Sequence, residues 1–294
     1  MRRLAMATAL VAAVGFSAEV SRGAALLELE TVLQRAGDQV ERYLARAQSI
    51  VCLEIVNLQP IDPSWGSTGF GRTVESELRL SWEPDDDGSA STEAQTLRNL
   101  LRVNGREPRK DDLNNCTAPE QQTREPHPLS LLLSSERSEY EFSLAGQTSI
   151  DRRAVNMIDY RILREASVES SMVEGRDDCV SFNVEGGMRG RIWIDAETHD
   201  VLRIDQRLAG MVEIPLPRKA RSRARDPLSW TMERWDTSMR FKRVTFENPQ
   251  ETLVLPESLT SIRITRGSGM PRLRTQTQYK NYKRFLTNGR VVGE

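Results

Sequence analysis

Hydrophobic and polar residues alternate twice around a polar hinge in the stretch GRIWIDAETHDVLRID, residues 190–205. In the first arm Ile192 and Ile194 share one face while Arg191, Trp193 and Asp195 take the other. In the second, Leu202 and Ile204 alternate with Val201, Arg203 and Asp205. A period of two marks a strand with one packed face, and Asp195, Thr198 and Asp200 supply turn chemistry between the arms. The pattern predicts a β-hairpin within an antiparallel sheet.

Upstream, Leu29, Val32, Leu33, Ala36, Val40, Tyr43, Leu44 and Ala47 recur at three- and four-residue spacing, which predicts one long helix over residues 26–50. Val51, Leu53 and Ile55 or their alternates then lead a first strand to Pro60, and a Gly- and Pro-containing loop follows over 61–72. A second strand spans 73–82, with Leu78, Leu80 and Trp82 on one face. Residues 94–103 read as a short helix or strand ending at Asn104-Gly105, a strong two-residue hairpin signal. A helical turn is expected over 128–134, carrying Leu129, Leu131, Leu132 and Leu133, and paired strands over 140–144 and 154–162. After the hairpin, 213–226 reads as an irregular excursion holding RKARSRAR, and strands return over 230–236, 239–246, 261–265 and 272–285. The expected fold class is mainly β (α+β), one helix with nine or ten strands. A sheet of that size curls, so the architecture is a large curved antiparallel sheet or incomplete β-barrel covered by the amino-terminal helix.

The amino terminus adds a destination. Arg2 and Arg3 precede an apolar, small-residue run to about Ala25, the composition of a secretory signal peptide. The cut falls after Ser17 or after Ala25, and residues 26–294 then form one domain, periplasmic or secreted. A flexible acidic loop is expected near 83–92 and a basic loop near 215–227. Net charge is −1, yet from Arg203 onward 19 Lys and Arg face 9 Asp and Glu, so the chain is electrostatically polarised. The three cysteines allow one disulfide in an oxidising compartment. Cys116 and Cys179 lie in polar surroundings and are the expected pair, with Cys52 a buried thiol in an apolar run.

Candidate chemistry is sparse. The two histidines, His127 between prolines and His199 at the hairpin tip, read as surface turn residues without catalytic partners. No G-x-S-x-G elbow, H-E-x-x-H helix, phosphate loop or dinucleotide fingerprint occurs. Asp85, Asp86, Asp87 and Gly88 supply half a calcium loop without its closing Glu. These absences lead to the expectation of a non-enzymatic protein without metal or cofactor. The basic run lacks the interleaved aromatics of a nucleic-acid site, so no nucleic acid is expected as a partner; Arg218, Lys219, Arg221, Arg223 and Arg225 are instead candidates for contact with an anionic surface.

With its leader, its helix and the line GRIWIDAETHDVLRID, the chain resembles the periplasmic lipoprotein-carrier superfamily of LolA/LolB-like fold. More narrowly it is similar to exported proteins of environmental bacteria that share VCLE, LLRVNGREP and PRLRTQ-like segments. The resemblance implies an incomplete barrel, plugged by helices, that holds acyl chains against its concave face. The expected function is binding of a lipid, lipoprotein acyl chain or other apolar ligand, with Leu53, Leu78, Leu80, Ile192, Ile194, Leu202 and Ile204 lining that face. The alternative is an envelope scaffold that docks a membrane or protein partner through its polarised surface.

Overall fold

A computed structural model describes residues 14–46, 49–81, 93–113, 116, 122–221, 227–247 and 250–284. The first half of the expected leader, the acidic loop near 83–92 with Asp85–Gly88, and Arg223 and Arg225 of the basic loop lie outside the described residues.

Helix α1 (Val14–Arg46) leads into β1 (Ser49–Ile61), β2 (Arg72–Ser81) and β3 (Glu93–Val103). A one-turn helix, α2 (Lys110–Leu113), and strand β4 (Gln122–Pro126) precede a 3-10 turn, Ser130–Leu132. Strands β5 (Tyr140–Ile150), β6 (Arg153–Ile162), β7 (Ser167–Val173), β8 (Arg176–Glu185), β9 (Met188–Asp195) and β10 (Val201–Leu208) follow. The chain ends in β11 (Val212–Pro215), β12 (Ser229–Glu247), β13 (Gln250–Arg266) and β14 (Arg272–Arg284). Among the described residues one antiparallel sheet runs β4-β3-β2-β1-β14-β13-β12-β10-β9-β6-β5, with β11 paired to β12 beside this path and β7–β8 a separate hairpin. The sheet is open at β4 and β5 rather than closed into a barrel.

Several elements differ from their expected form. The segment at 94–103, read as helix or strand, is β3, which pairs with β2 along nearly its whole length. The strands expected at 230–236 and 239–246 are one 19-residue strand, β12. Its neighbour β13 runs straight through Leu255-Pro256. Phe241 pairs with Pro256 and Arg240 with Ser258, so a bulge sits where Pro256 interrupts the ladder; proline, which has no N–H to give, is tolerated at such a position. The excursion at 213–226 contains β11 and a 3-10 turn, Arg218–Ala220. Ile50, expected at the end of the helix, lies fully buried in β1.

The hairpin of residues 190–205 is β9–β10, with Ile192 opposite Ile204 and Met188 opposite Leu208. A bulge after the turn changes its inner face. Val201 pairs with Ile194 and Arg203 with Trp193, which leaves Leu202 as the extra residue. Val201, not Leu202, therefore enters the core, reversing the order expected from simple alternation. The turn is organised by Asp195, whose Oδ1 accepts the N–H groups of Glu197 and Thr198, each at 3.0 Å, while Arg153 lies 3.3 Å from Oδ2. Burial raises the Asp195 carboxyl, but these donors outweigh it and hold the group below its ordinary value of 3.8. A depressed folded-state value means that the contribution is complete above about pH 3.8 and is lost as the pH falls below it. Asp195→Ala is expected to cost about 1–2 kcal/mol at pH 7, read by urea denaturation, with a smaller difference from the parent below pH 3.8.

Two cores form on one face of the sheet. In the larger, α1 lays Leu29, Val32, Leu33, Ala36, Val40, Tyr43 and Leu44 against Ile158, Ile192, Ile194, Val201 and Ile204, together with the leucines of the 3-10 turn and Phe241 and Leu255. Ile158, Ile192 and Ile204 are register partners across β6, β9 and β10, so they form one row under the helix. The smaller core gathers Met188, Leu208, Val212, Ile214 and Met232, with Val168, Phe182 and Val184 of the β7–β8 hairpin and Trp230 and Trp235 at its margin.

Candidate functional site

The helix-facing side of the sheet is built from alternate residues of β1, β2, β6, β9 and β10. Ile192, Ile194 and Ile204 lie in the larger core, and Leu80 packs at its border. Leu78 is buried on the same face, opposite Cys52. Leu53 is not on this face. It pairs with Glu77, one step out of phase with the Cys52–Leu78 pair, and so points to the opposite side. Leu202 is displaced by the β10 bulge. Five of the seven residues named from the sequence thus share a face, and the other two do not.

Side chains of α1 pack into one core with those of the sheet. Among the described residues an opening of 90 Å³ lies at this seam, bounded by Gln39, Val40, Tyr43, Leu129, Val201 and Leu253. The cover consists of α1 and the turn carrying Leu129, Leu131, Leu132 and Leu133, all buried. Polar ties from α1 to the rest of the molecule include Gln39 Nε2 to Thr198 O and Arg137 Nη2 to Gln34 Oε1, each 3.0 Å. The two parts of the cover meet backbone to backbone at Gly37, where a Cβ would stand 2.5 Å from Leu132 O. Gly37→Ala gains helix propensity but must push the turn away. A net loss of about 1–2 kcal/mol is expected, measured by thermal denaturation.

His127 lies at the root of this turn. Read from the sequence as a surface residue, it is buried, with its ring centroid 5.1 Å from that of Tyr43. Leu129 N–H donates to His127 Nδ1 at 3.2 Å, and burial pushes the imidazole down to about 3. A ring that stays neutral and is enclosed in this way is a structural member of the cover. On the same face of the sheet Arg98 Nε bonds the buried Glu54 carboxylate at 3.0 Å. Close by, the Cys52 thiol is pushed up to about 12, first by burial and then by Glu54.

Among the described residues, two grooves lie on the side away from α1. One, of 750 Å³, is lined by Val51, Leu53, Leu97 and Leu101 with Arg79 and Lys283. The other, of 810 Å³, crosses β5, β6, β9, β10, β12 and β13. Its lining alternates charges: Arg191 Nη2 bonds Asp159 at 2.9 Å, and neighbouring pairs join Arg203 to Asp205 and Arg234 to Asp236. The Arg203 guanidinium stacks 4.5 Å above the Trp193 ring.

Of the basic cluster, Arg218 and Lys219 are exposed on the 3-10 turn. Arg221 turns back on its own chain, donating from Nε and Nη2 to Leu216 O at 2.9 and 2.6 Å. Cys116 and Cys179 form a disulfide, and Cys52 is a free buried thiol. Among the described residues no group of three or more His, Cys, Asp or Glu is placed to hold a metal.

No family model matches the chain, and no curated protein sequence does either. Solved structures do match. A domain assigned to outer membrane lipoprotein sorting from Vibrio parahaemolyticus is similar over 88% of this chain and 94% of its own, at 10% identity and a TM-score of 0.41. A DUF1329 family protein from Desulfovibrio piger is similar over 88% and 93%, at 10% identity and a TM-score of 0.43. A LolA superfamily protein from Nitrosomonas europaea is similar over 87% and 94%, at 8% identity and a TM-score of 0.30.

Proposed function

We propose that this is an exported, non-enzymatic protein that binds a lipid, a lipoprotein acyl chain or another apolar ligand on the helix-facing side of its sheet. One observation carries the reading. The apolar floor of an open sheet is covered by a single helix and a leucine turn, which meet it mainly through side-chain packing. Displacing that cover would uncover Ile158, Ile192, Ile194, Ile204, Phe241 and Leu255 as one apolar trough, with the cover's own leucines available as its roof. Export is supported by the Cys116–Cys179 disulfide, since such bonds persist in oxidising compartments. Residues 26–294 act in this proposal as one domain after removal of the leader.

The test is native mass spectrometry of protein purified from the periplasm, followed by titration of delipidated protein with 11-(dansylamino)undecanoic acid. A copurified acyl species or saturable uptake with one probe per chain is expected, with faster uptake by Gly37→Ala, whose cover is loosened. Protein that carries no acyl ligand and takes up no probe would refute the reading.

A further inference from the structure

The 810 Å³ groove is lined by four arginines, Arg161, Arg189, Arg191 and Arg207, and four carboxylates, two of which are paired with arginines outside the lining, Asp205 with Arg203 and Asp236 with Arg234. Glu141, Arg161, Arg189, Arg207 and Asp236 are successive register partners across β5, β6, β9, β10 and β12, so they stand in one row. Every carboxylate of the groove has an arginine already. Glu141 is paired with Arg161, Asp159 with Arg191, Asp205 with Arg203 and Asp236 with Arg234. Arg189 and Arg207 remain, directly opposite each other on β9 and β10, exposed, and without a carboxylate partner among the described residues. Like charges directly opposite on adjacent strands destabilise a sheet. Two guanidinium forks side by side carry two positive charges, which a phosphate ester with up to two negative charges and three terminal oxygens can match while accepting from both forks at once. Trp193 and Ile262 line the same groove and offer apolar surface to an attached organic group.

We infer that this groove is a binding site for a phosphate ester, held between Arg189 and Arg207 with Arg161 beside them. The site is separate from the apolar trough, on the other side of the sheet. A phospholipid headgroup and a soluble phosphate ester share the recognised chemistry.

The test uses the full chain in phosphate-free buffer, titrated calorimetrically with inorganic phosphate and with glycerol 3-phosphate. In parallel the protein is floated with phosphatidylcholine vesicles that contain or lack phosphatidic acid. Saturable binding is expected in the soluble arm or selectively to the phosphatidic acid vesicles. The Arg189→Ala/Arg207→Ala double variant should weaken it at least tenfold, whereas Arg240→Ala, on the same face outside the groove, leaves it unchanged. Arg207→Glu places a carboxylate opposite both Arg189 and Asp236; it should abolish binding while keeping a cooperative thermal transition and the parent's circular dichroism, which a misfolded variant would not do. Absence of binding to every probe, retention of affinity by the double variant, or an equal loss in Arg240→Ala would overturn the inference. Uptake of 11-(dansylamino)undecanoic acid should be the same in the double variant and the parent, so this site and the apolar trough stand or fall separately.

Discussion

Replacing Cys116 and Cys179 by alanine is expected to cost about 4 kcal/mol, the loop-closure entropy that a cross-link over 63 residues removes from the unfolded chain. The bond joins Cys116, which lies between α2 and β4 in the chain, to β8 of the separate hairpin. Among the described residues β7–β8 shares no strand ladder with the main sheet, so the covalent link adds a tie that the sheet topology does not supply. Urea denaturation of the double variant, with the parent with and without reductant, measures the effect. A loss below about 1 kcal/mol would mean that the hairpin is held by the smaller core alone.

Acidification from pH 7 to pH 5 is expected to cost about 2 kcal/mol through His127. The imidazole has an ordinary value of 6.5 and is held at about 3 by burial. The unfolded chain therefore takes up a proton that the folded chain refuses. Its contribution is complete above 6.5, declines as the pH falls, and continues to decline until about pH 3. Asp195 loses its contribution only below 3.8, so the two groups act in different windows. His127→Gln should flatten the dependence from pH 7 down to about pH 4 while leaving the loss through Asp195 below 3.8. An unchanged slope in that variant would assign the acid sensitivity elsewhere. Because Leu129 N–H donates to His127 Nδ1, protonation of that nitrogen removes an acceptor at the root of the leucine turn.

Much of the fold was legible because periodicity survives without context. Ile192, Ile194 and Ile204, the α1 stripe from Leu29 to Leu44 and the Cys116–Cys179 pair all follow from local pattern or local polarity. What escaped depends on register or on burial by distant residues. One extra residue in β10 exchanges Val201 for Leu202, and pairing with β2 decides that Leu53 faces away from the helix. The prolines flanking His127 are a surface signal, yet Tyr43, contributed by α1 far upstream, closes over the ring. The arginine row is invisible to sequence because Arg161, Arg189 and Arg207 become neighbours only when three strands align. The seam at Gly37 had no sequence signal beyond a glycine inside a helical pattern.

An open sheet leaves two borders at which another chain could add a strand, and the two borders of this one differ. At one, β4 ends in Pro126, which has no N–H to offer an incoming strand. At the other, β5 breaks register between Leu144 and Gly146, where the glycine takes a φ of 115° and bends the strand out of the regular spacing that a docking strand needs. A proline and a kink thus do at the two rims what ring closure does for a barrel. They protect both rims against edge-to-edge polymerisation without closing the sheet on itself.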